Sequence, residues 1–227
     1  HYFEHHTVSY GAQYRFEDLL DGSLFDAANT PTTKDDFSNL GFFVQDQWKI
    51  TESLELVPGL RLDDHDNVED TVLSPRIAAR WFANEEWKLR ASWSTGFNAP
   101  GAFNEDKHIG VNNGGAIFLV NEPGLREESS QTFSFGGEYQ PLRLGREMIL
   151  HSQVHFTTLT DSFEIDDSGE LSGDPNLWLR INGPDADIFV WENNLNWQFG
   201  EHTRMDAGLS YLRARFKEPI ERVNGLT

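Results

Sequence analysis

Four cations, Arg61, Arg80, Lys88 and Arg90, stand at positions that share one face of an extended chain. A wall of guanidinium and ammonium groups is chemistry for holding an anion. Arg61, Arg80, Arg90 and the loop residue His108, beside Gly114, Gly115 and Phe118, are the candidate substrate-binding residues on this reading. Internal salt bridges to acids such as Glu55 and Asp46 are the plainer use of the same cations and carry more weight. Arg76 joins that face only if the strand register is right. His151 and His155 lie four apart, which in a strand puts them on one face but about 13 Å from each other, too far to share a metal. His5 and His6 point to opposite faces if extended. The acidic run Asp63-Asp64-His65-Asp66-Asn67-Val68-Glu69-Asp70 fails as an EF-hand, because Glu69 and Pro75 stand where Gly and Glu are required; loose calcium binding by such a loop is the weaker reading left open. No nucleophile elbow, zincin motif or phosphate-cradling glycine loop is present. The sequence points to no catalytic residues, no metal site and no cofactor.

The chain has 227 residues, with 37 acids against 18 bases, a net charge of −19 and no cysteine. Such a field repels nucleic-acid phosphates. Disulfides and Cys-ligated metal centres are excluded. No apolar run approaches the ~20 residues of a membrane-spanning helix. Only 38% of the chain is hydrophobic, yet 13% is aromatic, including 17 Phe and 7 Trp. Disordered acidic chains lack aromatics, so these rings serve a structure without a large aliphatic core. The chain opens on His1 rather than Met, and is expected to be a piece of something longer.

The elements that would position these residues follow a period of two. Val8, Tyr10, Ala12, Tyr14 and Phe16 alternate with polar or small residues, as do Leu54, Leu56, Leu60 and Leu62, and Trp87, Leu89, Ala91 and Trp93. That is the signature of strands with one apolar and one polar face. Nine strands are predicted, near 7–16, 38–50, 54–63, 72–83, 87–97, 129–140, 147–160, 176–199 and 202–216, the eighth being either one long strand or two pieces broken near Gly183-Pro184. Long and short connections alternate. In an up-and-down meander, all long connections then share one end. Trp48, Trp81, Trp87, Tyr139, Trp197 and Phe199 flank the short turns, where a membrane-interface girdle would sit. Tilted strands of about 9–11 residues cross the hydrocarbon, and a closed barrel satisfies every backbone group there.

Specific segments carry a family resemblance. Phe43-Val44-Gln45-Asp46-Gln47-Trp48-Lys49-Ile50 followed by Pro58-Gly59-Leu60-Arg61-Leu62-Asp63, then Leu73-Ser74-Pro75-Arg76-Ile77-Ala78, then Ala91 to Pro100 with its Gly96-Phe97-Asn98-Ala99-Pro100 end, resemble barrel strands of TonB-dependent outer-membrane receptors. Pro123 to Thr132 resembles the segment that re-enters the membrane after a long outer loop, and Trp191-Glu192 through Trp197 with Leu209 to Leu212 resembles the late strand pair. Two departures stand out: Glu127 where the family usually has Pro, and Asn98 where it often has Arg. The resemblance rests on order and spacing over roughly residues 38–216.

The resemblance implies an all-β, antiparallel up-and-down transmembrane β-barrel, of which residues 1–227 supply about nine strands as part of one domain, with the plug domain and the C-terminal strands absent from this chain. It implies a segment of a non-enzymatic receptor in the bacterial outer membrane, active in uptake of a scarce nutrient: a ferric siderophore, haem, cobalamin or a sugar. The implied partners are outer-membrane lipid, the TonB complex through the missing plug region, and a small-molecule ligand such as a metal chelate, with no nucleic acid. A soluble β-sandwich that binds carbohydrate through its tryptophans is the alternative. The net charge is concentrated in the long connections 17–37, 63–71, 98–128 and 161–175, which hold 22 acids and 3 bases and leave the remainder neutral. An acidic outer rim on a balanced wall is therefore expected.

Overall fold

The structure, a computed structural model, describes residues 4–21, 33–101, 111–112, 115–116, 118–144, 147–169 and 171–218. Fourteen strands follow one another: β1 (His6–Asp21), β2 (Thr33–Lys49), β3 (Leu54–His65), β4 (Val72–Phe82), β5 (Trp87–Asn98), β6 (Val111–Asn112), β7 (Gly115–Ala116), β8 (Phe118–Asn121), β9 (Glu128–Tyr139), β10 (Met148–Thr160), β11 (Phe163–Asp166), β12 (Leu177–Asn182), β13 (Ala186–Phe199) and β14 (Thr203–Phe216). Nine form one sheet in the order β1-β2-β3-β4-β5-β9-β10-β13-β14, every neighbour antiparallel. This is the meander expected from the alternating connections. It also sets aside the sandwich alternative, whose Greek-key links would break the sequential order. β1 and β14 are the two edges and do not pair with each other.

Local chemistry shapes the short connections. Thr51 Oγ1 accepts from the Ser53 and Leu54 amides at 3.2 and 3.0 Å and turns β2 into β3. Asn84 Oδ1 does the same for the Glu86 and Trp87 amides, both at 2.9 Å, between β4 and β5. Gly200, at φ 67°, supplies the left-handed residue between β13 and β14.

Two boundaries differ from the sequence reading. The first hairpin is longer than expected, because pairing continues from Phe16↔Ser38 out to Asp21↔Thr33; charged residues beyond the apolar stretch do not end a ladder that is held by backbone bonds. The eighth strand is two. Pro184 has no amide to donate, and at Gly183-Pro184 the chain changes partners, with Gly183 N donating to Ser162 O at 2.7 Å and Ser162 Oγ to Pro184 O at 2.6 Å. β12 leaves the large sheet and joins β11 and, in parallel, β8 in a small sheet at the long-connection end.

The usual arrangement of a soluble protein is inverted. Among the described residues, the buried side chains are Ala186, Pro100 and Pro141 with four polar ones, Asp63, His65, Ser162 and Arg180, and no large apolar group is among them. Large apolar groups are outside, including Tyr10 at 82%, Phe133 at 55% and Phe135 at 56% exposure. An apolar face this broad needs an apolar solvent.

Gly41 shows how closely the polar face is packed. A Cβ there would meet the Arg61 guanidinium and lie 2.8 Å from Asp63 Oδ1. The Gly41→Val variant should lose about 1–3 kcal/mol, read as a lower urea midpoint for the protein refolded in lipid vesicles. An unchanged midpoint would show that the Arg61–Asp63 pair does not need that space.

Candidate functional site

Cross-strand register sorts side chains onto two faces. The inner, polar face receives Arg61, Arg76, Arg80, Lys88 and Arg90, together with Glu55, Asp63, Glu138, His151 and His155. Three of its cations are tied to acids. Arg61 grips Asp63 with two parallel bonds, Nε to Oδ2 at 2.6 Å and Nη2 to Oδ1 at 2.7 Å, while Asn39 Nδ2 also donates to Oδ1 at 3.0 Å. Arg80 Nη2 donates to Glu55 Oε2 at 2.6 Å, and Lys88 Nζ to Glu138 Oε1 at 2.6 Å. Arg90 stands directly opposite Arg80. Thus Arg61, Arg80 and Arg90 share one wall, with the first two held by neighbouring acids. His108 lies outside the described residues.

Asp46 corrects one expectation. It shares parity with Val44 and Trp48, faces away from the basic wall, and accepts from His6 Nδ1 at 2.6 Å. The two histidines of β10 stay apart in their chemistry: His155 Nδ1 meets Ser134 Oγ at 2.8 Å, and His151 lies 3.8 Å from Glu138.

At the long-connection end, the acidic run is not a free loop. Asp63 is 1% exposed under its Arg61 clamp, and His65 is stacked on Phe37 at 4.7 Å with Phe97 edge-on at 6.4 Å. Asp66 Oδ2 accepts from both the hydroxyl and the amide of Ser38, at 2.8 and 2.7 Å. These two donors, the hydroxyl first, hold the Asp66 carboxyl below the usual carboxylate range. A cavity of about 430 Å³ opens here, lined by Arg15, Arg61, Asp63 and the three rings. Its mix of rings and a few charged groups suits a small ligand.

The β8–β11–β12 sheet ties the two longest connections together. Arg180, 5% exposed, donates through Nη1 to Gly101 O at 3.2 Å and Asn121 Oδ1 at 3.1 Å. Asn182 Oδ1 accepts from Arg126 N at 2.9 Å, its Nδ2 returns bonds to Arg126 O and Asp161 O, and Arg126 Nη2 reaches Asp161 Oδ1 at 2.7 Å. Sequence reasoning missed Arg180 altogether; Leu177, Leu179 and Ile181 alternate with Trp178, Arg180 and Asn182 as in the other strands, so the pattern gives no sign of its burial. The Arg61–Asp63 clamp was legible as an i, i+2 pair on one strand face, with Asp63 the last residue of the predicted strand 54–63 and the first of the acidic connection 63–71.

The outer face receives Trp48, Trp81, Trp87, Tyr139, Trp197 and Phe199, all next to short turns. Trp87 stacks on Tyr139 at 4.5 Å, and Trp197 meets Phe199 at 4.0 Å.

Comparison with known proteins places this arrangement. The family model described as TonB dependent receptor-like, beta-barrel, matches residues 2–226. The iron-regulated outer membrane virulence protein of Vibrio cholerae is 31% identical over 224 residues, covering 93% of this chain; the chain spans 32% of that protein's length. Among solved structures, the siderophore receptor PirA from Pseudomonas aeruginosa superimposes with a TM-score of 0.74 at 20% identity, covering 93% of this chain and 40% of that one. The FrpB iron transporter from Neisseria meningitidis does so with a TM-score of 0.70 at 14% identity, covering 94% and 33%. At these identities the likeness is one of fold.

Two outcomes follow from the geometry. Because the folded-state pKa of Asp66 is depressed, its tie to Ser38 is present above the unfolded value of about 3.9 and is lost only as pH falls through the lower folded value. The Asp66 carboxyl-carbon NMR shift in micelles should titrate with a midpoint below about 3.9; a midpoint at or above it would mean that the tie does not form. Arg180→Met should strip the buried donors from Gly101 O and Asn121, costing about 1–3 kcal/mol locally and speeding protease cleavage in the long connections while the barrel strands stay resistant.

Proposed function

The chain belongs to the TonB-dependent receptor family as part of its β-barrel, in the bacterial outer membrane, and we propose that the whole protein imports a ferric siderophore with energy supplied through TonB. Residues 1–227 act as part of one barrel wall in this reading. A plug, a TonB-contacting segment and the strands that close the barrel come from other parts of the protein. The observation that supports it most is the separation of faces: a continuous apolar outer surface, against an inner surface of arginines and acids with an aromatic cavity at the long-connection end. A lipid-facing wall around a polar passage is what a nutrient receptor requires. The choice of iron rests on relatives whose names describe an iron-regulated protein, a siderophore receptor and an iron transporter.

In this function, the roughly 430 Å³ cavity between Arg15, Arg61 and the Phe37–His65–Phe97 rings receives part of the chelate. Its rings meet the flat apolar portions of a catecholate or hydroxamate ligand, while its two guanidiniums are already paired, Arg15 with Glu17 and Arg61 with Asp63. Arg61 and Arg80 contribute field rather than free donors, since Asp63 and Glu55 hold them. Trp48, Trp81, Trp87, Tyr139, Trp197 and Phe199 form the interfacial girdle at the short-turn rim. An apolar hollow of about 450 Å³ on the outer face, between Ala79, Ala91, Trp93 and Phe133, is filled by lipid acyl chains. No catalytic step is part of this function.

Deleting the gene should slow growth under iron chelation and abolish uptake of labelled ferric siderophore, with growth restored by the intact gene. Normal uptake of every ferric chelate tried would overturn the iron assignment. Brominated lipids should quench the fluorescence of Trp48, Trp81 and Trp87 in single-tryptophan variants, and the absence of quenching would remove the girdle.

A further inference from the structure

We propose that the outer face carries a binding site for the phosphate of a lipid in the outer leaflet, formed by Arg213 and Arg215 on β14. The site depends on the barrel wall and not on which nutrient is carried. Register with β13 sets Arg213 opposite Phe189 and Arg215 opposite Asp187, on the same outward face as Trp191 and Tyr211. Along that face of β14, Met205, Ala207, Leu209 and Tyr211 give way to Arg213, Arg215 and, just past the strand, Lys217. Met205 is paired with the girdle residue Trp197. Arg213 and Arg215 stand about 26 and 33 Å farther along the strand. At the usual barrel tilt this is roughly 20 and 25 Å along the membrane normal, where an apolar band about 25 Å tall comes to its end. Their guanidiniums are therefore at the headgroup layer on the long-connection side.

The acids nearby are already engaged. Lys217 Nζ lies 3.4 Å from Asp185 Oδ2 and 3.8 Å from Asp187 Oδ1, and Asp187 Oδ1 also accepts from Thr158 Oγ1 at 2.9 Å. Among the described residues, neither Arg213 nor Arg215 makes a hydrogen bond or an ion pair. Three cations against two carboxylates leave one net positive charge. Farther round the same rim, Asp18, Asp36 and Asp64 face outward, so a phosphate is drawn to the β14 end. A strand that closes the barrel lies beside β14 and leaves its outward side chains facing lipid. Planar guanidiniums match phosphate oxygens two at a time. A row of rings supplies the apolar half of the site. From Arg213, directly paired residues run through Phe189, Phe156, Phe133 and Trp93 on β13, β10, β9 and β5. All four rings line the outer hollow of about 450 Å³. The row spans about 19 Å. It descends into the hydrocarbon as it leaves β14, because Tyr139, beside a short turn, shares a row with Ala207, which is well inside β14. One leaflet of hydrocarbon is about 15 Å thick, so a phosphate on the arginines and an acyl chain along the rings belong to one lipid molecule.

The test uses the full-length protein in detergent micelles. The probes are bis-phosphorylated lipid A, the same lipid stripped of its phosphates, and inorganic phosphate, and native mass spectrometry reads the lipid retained. The phosphorylated lipid should be retained at least about tenfold better than the stripped one, and inorganic phosphate should not displace it. The double variant Arg213→Gln with Arg215→Gln should lose that preference. Asp187→Asn, which removes an acid and no cation, should hold the phosphorylated lipid more tightly; this variant keeps the test decisive if the double variant folds poorly. Equal retention of the two lipids would overturn the proposal, because an acid on the closing strand would then already neutralise the arginines. So would displacement by inorganic phosphate, a preference that the double variant keeps, or an Asp187→Asn protein that holds the phosphorylated lipid no better than the parent.

Discussion

A backbone amide or carbonyl left bare in hydrocarbon costs several kcal/mol, and no other constraint shapes this molecule as strongly. Strands can cross a bilayer only if each ladder is continuous from one neighbour to the next. The nine-strand meander obeys this, with pairing unbroken in sequence order from β1 to β14. Three prolines, none with an amide to donate, show the rule at work. Pro75 at the start of β4 and Pro58 in β3 sit within ladders that carry on around them. At Pro184 the ladder instead hands the chain to another sheet.

Once the ladder is continuous, the two-residue period divides the side chains without further instruction. One face meets lipid and can be apolar and loosely packed. The other must neutralise its own charge, and it does so with short pairs: Arg61 with Asp63 along β3, and Arg80 with Glu55 and Lys88 with Glu138 across neighbouring strands. The large buried side chains are consequently polar: Asp63, His65 and Arg180. Removing Arg61 would strand the Asp63 carboxylate, which is 1% exposed, at about 3–5 kcal/mol. The wall's stiffness and its electrostatics therefore come from the same contacts.

The long-connection end follows different rules. There the ladder no longer faces lipid, so connections may bond side chain to backbone. Arg180 and Asn182 join segments 21 to 79 positions apart in the chain, through Asp161, Arg126, Asn121 and Gly101. This ties the described parts of two long connections to each other beside the aromatic cavity.

The strand count, the face assignment of the basic residues and the aromatic positions at the short turns were all legible in the sequence, because alternation is a local property and every register step flips both faces at once. The charge distribution was legible for a similar reason, since acids concentrate where strands end. The partners of those charges were not. Asp46 looks like an inner-wall acid until pairing with β1 sets it beside His6 on the opposite face. Asp63 reads as the last acid of a strand opening onto an acidic connection until β3 is seen to continue to His65. The departure of β12, the burial of Arg180 and the meeting of Arg80 with Arg90 depend on which distant strands lie side by side. Such contacts are long-range, and a period of two says which way a side chain points but never what stands across from it.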